Sequence, residues 1–128
     1  MIYLDSSIAL AYLFTEDRAP PDSLWGEQLI SSRLLEYEVW NRIHARKLGR
    51  SHGHEARNLM GEVALIELSP VILERALEPF PLHVRTLDGL HLATIEFLRA
   101  RRQKVELASY DDRLVAAARL MGIDVAAL

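Results

Sequence analysis

Five short strand-like runs, each followed closely by a segment with helical spacing, constrain this chain more than any other feature. The runs are residues 2–4, 28–31, 63–68, 104–108 and 123–126. Between the first two, the apolar stretch 7–14 reads as a helix, and a polar loop with Pro20-Pro21 leads into a short helix through Trp25. From Ser32 onward Leu35, Val39 and Ile43 recur at a helical interval, with Gly49 placed to stop that helix and Ser51 to cap another through Met60. Ser69-Pro70 supplies an N-cap and a proline at the first helical position; "VILERAL" continues that helix, and Pro79 and Pro81 end it. Thr86 is expected to cap a helix over 86–102 that is apolar on most sides and therefore largely buried. "DDRLVAAARLMG" carries Leu114, Ala117, Ala118 and Met121 on one stripe and ends at Gly122. Strands alternating with helices predict a mostly parallel central sheet covered on both faces, a three-layer α/β/α sandwich. No repeat or linker divides the 128 residues, so 1–128 is expected to be one domain.

Composition narrows the chemistry. With 50% hydrophobic and 26% charged residues the chain has ordinary globular proportions. It has no cysteine, which excludes disulfides, thiolate nucleophiles and zinc-thiolate sites and leaves oxygen and imidazole as ligands. "MIYLDSS" has no basic leader, and the apolar stretch Ile8 to Phe14 falls well short of the roughly 20 residues of a membrane span. A cytoplasmic protein without membrane contact is therefore expected. The net charge of −3 conceals a basic stretch: Arg42, Arg46, Lys47, Arg50 and Arg57 face only Glu55 between 42 and 57. That excess suits phosphate, and equally a solvated helix face.

The acids stand where solvent-facing charge is not the natural explanation. Ligands of open parallel sheets bind beyond the carboxyl ends of the strands. Asp5 closes the first strand, and Asp111 follows the fourth, "VELASYD". Asp88 lies in the first turn of the buried helix, and Glu38 sits among Leu34, Leu35, Val39 and Ile43. Each also has a structural reading: Asp5 and Asp111 as helix caps, Asp88 as a charge favoured by the helix dipole, Glu38 as an i,i+4 partner of Arg42. If all four gather, their repulsion raises their pKa values unless a cation settles among them. Hard oxygen ligands favour Mg²⁺ or Mn²⁺, with Ser6 or Ser7 orienting nearby oxygens.

"IYLDSS", "SSRLLEYEVWNRI", "TLDGLHLATIEFL" and "LASYDDRLVAAARLMGI" resemble, in order and spacing, the signature segments of PIN-domain ribonucleases, most closely the VapC-type toxins of toxin–antitoxin pairs. The likeness runs over essentially the whole chain. It implies a PIN fold, Mg²⁺- or Mn²⁺-dependent endonucleolytic cleavage of RNA, a homodimer, and a cognate antitoxin that covers the acidic pocket. The family's catalytic and metal-binding acids fall on Asp5, Glu38, Asp88 and Asp111, with supporting hydroxyls at Ser7 and Ser109. Glu36 adjoins Glu38 and Asp112 adjoins Asp111, so the register at those two places stays open; Glu38 is preferred as six residues after Ser32 in a more apolar setting, and Asp111 as directly following Ser109-Tyr110. Water attacking in line would leave 5′-phosphate and 3′-hydroxyl ends. Arg42, Arg46 and Lys47 are the expected RNA-binding residues, with Arg99, Arg101, Arg102 and Lys104 as further guides for the backbone.

Other residues carry milder expectations. His91, one turn beyond Asp88, reads as a hydrogen-bonded core histidine rather than a catalytic group, and His52 and His54 as solvated. Trp25, Tyr37 and Trp40 read as packing residues. A phosphatase forming an aspartyl-phosphate at Asp5 is the alternative enzyme, although Ser7 stands where such enzymes place a second aspartate. A PIN scaffold that binds RNA or a partner without cutting is the non-enzymatic alternative.

Overall fold

A computed structural model describes all residues, 1–128. Strand β1 (Ile2–Leu4) leads into helix α1 (Ser6–Leu13); a 3-10 turn (Asp22–Gly26) precedes β2 (Leu29–Ser32). Helices α2 (Leu34–Ala45) and α3 (Gly49–Gly61) follow, then β3 (Val63–Ile66), α4 (Pro70–Ala76) and α5 (Thr86–Ala100). The chain closes with β4 (Glu106–Ala108), α6 (Asp112–Leu120) and β5 (Asp124–Val125). All strand pairs are parallel, in the order β3-β2-β1-β4-β5. No helix is long and apolar enough to cross a membrane.

Alternation along the strands builds two cores. Ile2, Leu4 and Leu29 turn to one face of the sheet and pack with Ile8, Leu13, Leu35, Val39, Ile43, Ala56 and Leu59 from α1, α2 and α3. Tyr3, Ile30 and Leu107 turn to the other and meet Leu92, Ile95, Leu98, Leu114 and Ala117 from α5 and α6. Each fully buried aliphatic side chain contributes about 1.5–3 kcal/mol. A strand flanked by helices on both faces has little need of polar residues, which explains the apolar run of β1; β2 ends instead in Ser31 and Ser32, both fully buried, and Ser31 Oγ donates to the Leu4 carbonyl at 2.7 Å.

The strand order reverses at β1. β1 is followed on one side by β2 and β3, and the chain then crosses back to place β4 on its other side. The β1–β4 pairing continues to the end of β1, where the Asp5 amide donates to the Ala108 carbonyl at 3.0 Å. The carboxyl ends of β1 and β4 thus form the crevice where ligands of such sheets bind.

Local signals in the sequence mark most element ends. Asp5 caps α1, Ser69 caps α4 with Pro70 behind it, Asp111 caps α6, and Gly122 takes a left-handed φ of 72° after α6. Four expectations need correction. Gly49 does not stop α2: the helix ends at Ala45 with Arg46 as its C-cap, Lys47 adopts a φ of 55°, and Gly49 opens α3, with Ser51 inside that helix. Thr86 is the first residue of α5 rather than its cap, and Arg85 holds the cap position without a side-chain hydrogen bond. Tyr37 is 61% exposed and not a packing residue, whereas Trp25 and Trp40 pack against the first core. Arg99, Arg102 and Lys104 lie beside Met1, Glu106 and Asp124, at the amino ends of the strands, opposite the acids. Arg99 there donates to the Met121 and Gly122 carbonyls, and Arg101 stacks on Phe97, so this set does not line the crevice.

Candidate active site

Asp5, Glu38, Asp88 and Asp111 line a single cavity of about 460 Å³, together with Ser6, Ser7, Leu10, Arg42, Arg85, Thr86 and Leu87. Four separate elements deliver the acids: the end of β1, the middle of α2, the first turn of α5 and the cap of α6. Glu36 instead pairs with Arg33 on the surface, and Asp112 is exposed.

Asp5 is 3% exposed and held by hydroxyls. Ser7 Oγ donates to its Oδ2 at 2.7 Å and Ser109 Oγ at 2.8 Å, and the Ser7 amide adds a longer bond at 3.4 Å. The two serines are fixed in turn, because the Tyr110 amide donates to Ser7 Oγ and the Asp111 amide to Ser109 Oγ, both at 2.9 Å. All of Asp5's bonds converge on Oδ2, which leaves Oδ1 for the cavity. Asp111 uses Oδ1 to cap α6, accepting from the Arg113 and Leu114 amides at 3.0 and 3.2 Å, and leaves Oδ2 free. The capping readings of Asp5 and Asp111 are therefore fulfilled with one oxygen of each, and the second oxygen of each is free for other chemistry.

Asp88 is 8% exposed and receives no hydrogen bond from the protein. Burial, with the nearby charges of Asp111 and Asp5, pushes its carboxyl up to about 6. A carboxylate this poorly compensated stores electrostatic repulsion that a cation relieves.

Glu38 is engaged differently. Ser6 Oγ donates to its Oε2 at 3.1 Å, and His91 Nε2 lies 2.5 Å from its Oε1. Burial alone would lower the pKa of His91, but the Glu38 hydrogen bond and charge, with Asp5 and Asp88, outweigh it and raise the imidazole above its ordinary value. His91 is a buried core residue, and it also reaches the cavity's edge through Glu38. Its position three residues after Asp88, on the same face of α5, is the only sequence sign of this contact. Arg85 at the cavity is not foreshadowed in the sequence, since nothing local marks it.

No three His, Asp or Glu side chains converge closely enough to hold an ion by themselves. The donor set nonetheless suits a hydrated hard cation. Asp5 Oδ1, Asp88 and Asp111 Oδ2 offer free carboxylate oxygens in one cavity, and Mg²⁺ usually takes one or two carboxylates while keeping several waters.

The model of the PIN domain matches residues 2–120. The chain belongs to the PIN-domain family, in its VapC-type branch. Ribonuclease VapC46 of Mycobacterium tuberculosis is 30% identical over 131 residues, covering 98% of this chain and 96% of that protein. Ribonuclease VapC47 of the same organism is 27% identical over 129 residues, covering 95% and 93%. Among solved structures, Mycobacterium tuberculosis VapC20, a sarcin-ricin loop cleaving toxin, shares the fold with a TM-score of 0.65 at 18% identity, over 91% of this chain and 95% of that one.

In this PIN-domain protein Ser109 joins two of the acids, since its hydroxyl donates to Asp5 and accepts from the Asp111 amide. Ser109→Ala leaves a buried oxygen and a backbone amide short of a partner. The expected cost is about 1–3 kcal/mol of stability, read by denaturant unfolding, with a fall of roughly 10-fold or more in any activity the cavity supports.

Proposed function

We propose that this PIN-domain protein is a Mg²⁺- or Mn²⁺-dependent endoribonuclease and the toxin of a toxin–antitoxin pair. The observation that carries the reading is the gathering of four acids from four elements around one cavity at the point where the strand order reverses. Full-length likeness to two proteins named ribonucleases supports it.

Asp5, Asp88 and Asp111 would hold the ion, with Ser7 and Ser109 fixing Asp5 so that Oδ1 faces it. When bound, a divalent ion lowers the pKa of water and offsets the charge of the scissile phosphate. Glu38, tied at both oxygens, is held at the cavity wall. Arg42 lines the same cavity one turn beyond Glu38, and Arg46 and Lys47 continue from the end of α2, a path for the phosphate backbone leading into the acids. Arg85 lines the same cavity.

RNA binding along that path should be salt-dependent. Replacing Arg42, Arg46 or Lys47 by Ala should weaken binding across RNA sequences. The slope of log affinity against log salt should fall by about 0.7 for each phosphate no longer neutralised, measured by fluorescence anisotropy. Substituting Lys104, at the opposite strand ends, should leave the slope unchanged.

The reading includes a homodimer in the cytoplasm and a cognate antitoxin that covers the acids; the cavity's charge favours a basic side chain in that partner. Purified protein should cut RNA in Mg²⁺ or Mn²⁺, stop on chelation, and leave 5′-phosphate and 3′-hydroxyl ends. Cleavage that persists in excess chelator, or a phosphoenzyme trapped on Asp5 from a small phosphomonoester, overturns it.

A further inference from the structure

Three of the four acids are placed by backbone. Asp5 and Asp111 cap helices, and Asp88 stands in the first turn of α5, so short side chains on fixed termini define their positions. Glu38 has no such support. It lies inside α2 on a longer side chain, and without outside contacts its carboxylate would sample several rotamers.

One of the two contacts that hold it comes from the far side of the sheet. His91, on α5, has no exposed surface, and both of its ring nitrogens are used. Nε2 meets Glu38 Oε1 at 2.5 Å, while Nδ1 meets the Tyr3 hydroxyl at 2.7 Å. Tyr3 is equally buried, one residue before the end of β1, with its ring edge-on to the imidazole at 5.6 Å. The Glu38 carboxylate can only accept, so Nε2 carries a hydrogen, and in the neutral ring Nδ1 is then the acceptor for the Tyr3 O–H. A phenol that donates to Nδ1 leaves Nε2 as the nitrogen that bears hydrogen, and only Nε2–H can donate to a carboxylate. With Ser6 on the second oxygen, the Glu38 carboxylate is pinned at both atoms, and its side chain is 13% exposed toward the cavity.

We propose that His91 is a positioning residue of the nuclease site: its Nε2–H fixes the orientation of Glu38 in the acid cavity, and Tyr3 fixes the tautomer that permits this. The inference rests on the ribonuclease reading above for its kinetic consequence, while the tautomer stands independently of that reading. A histidine serving only to fill the core would need partners for its nitrogens, but a backbone carbonyl would suffice; here the partner is an acid at the wall of the cavity.

The test has a spectroscopic and a kinetic arm. In full-length protein with ¹⁵N-labelled histidine, NMR at alkaline pH should place the His91 proton on Nε2, and Tyr3→Phe should move part of it to Nδ1. A proton on Nδ1 in the wild type overturns the proposal. In RNA cleavage, His91→Phe keeps the bulk without the donor and should lower kcat about 10- to 100-fold with KM little changed. His91→Gln, which restores an N–H, should recover most of the loss, and His91→Phe should add little on a Glu38→Gln background. Folded His91→Phe with unchanged kcat overturns the proposal. If that variant does not fold, Tyr3→Phe carries the kinetic arm: a severalfold fall in kcat is expected, and none overturns it. A wild type that cuts no RNA under any metal condition would sink the ribonuclease reading, and the tautomer would still decide the His91–Glu38 contact.

Discussion

Asp5→Asn should abolish RNA cleavage, lowering kcat by at least about 10²–10³-fold, while the protein still folds. The substitution preserves size, and the Ser7 and Ser109 hydroxyls can rotate to suit an amide, so the local packing at the end of β1 survives. What disappears is the free carboxylate oxygen facing the cavity. The same variant carries a second expectation: burial and the charge of Asp111 raise Asp88 most and Asp5 adds to them, so removing Asp5 should lower the Asp88 carboxyl part of the way from about 6. Cleavage assays and carboxyl titration by ¹³C NMR on one sample check both. Unchanged cleavage by Asp5→Asn would remove the site from consideration.

Asp88→Asn should act in opposite directions on activity and stability. Its carboxyl titrates near 6 in the metal-free fold instead of the ordinary 3.8. A raised folded-state value means that the protonated form is the one the fold favours, so this group's contribution is fully present below about 3.8 and is lost as pH rises through about 6. In the metal-free protein, stability should therefore fall between pH 4 and pH 7 through this residue, and Asp88→Asn should remove that fall. The shift corresponds to roughly 3 kcal/mol at most; with allowance for water in the cavity, a gain of about 1–2 kcal/mol at neutral pH is expected. Cleavage should drop as far as with Asp5→Asn, and added Mn²⁺ should raise the melting temperature of the wild type but not of the variant. Denaturant unfolding in chelator, run at several pH values, checks the first part; a variant less stable than wild type at neutral pH contradicts it.

These effects set stability against function at one place. A cluster of like charges is unfavourable in the empty fold, and a protein retains it only where a ligand later relieves it. Burial and the repulsion that raise Asp88 are thus what the proposed cation would relieve, and Ser7 and Ser109 hold Asp5 in place beside it.

Elements whose ends carry their own chemistry are legible in the sequence. Asp5 at the close of β1, Ser69-Pro70 at the start of α4 and Gly122 after α6 act through their immediate neighbours, so their residue types report their positions. The same holds for Asp5, Asp88 and Asp111, which sit at strand ends or helix starts that the sheet must bring to one edge. The break between α2 and α3 is not legible, because Lys47 accepts a left-handed φ that a glycine two residues later would adopt more readily; the packing of α2 on α3 decides where the chain turns. Charge runs do not reveal which edge they will occupy, and so Arg99 and Lys104 look in the sequence like partners of Arg42 while the fold places them at the other end of the strands. The Tyr3–His91–Glu38 chain spans separations of 88 and 53 residues, and beyond the place of His91 one turn after Asp88 no local pattern signals contacts at that range.

The central claim is that Asp5, Asp88 and Asp111 share a divalent ion. Anomalous diffraction from crystals of the protein grown with Mn²⁺ tests it most directly. The account requires a strong manganese peak in the cavity, bonded to at least one of these three carboxylates and absent from Asp5→Asn crystals. Saturating Mn²⁺ with no peak there, or a peak only at some other surface, would contradict it.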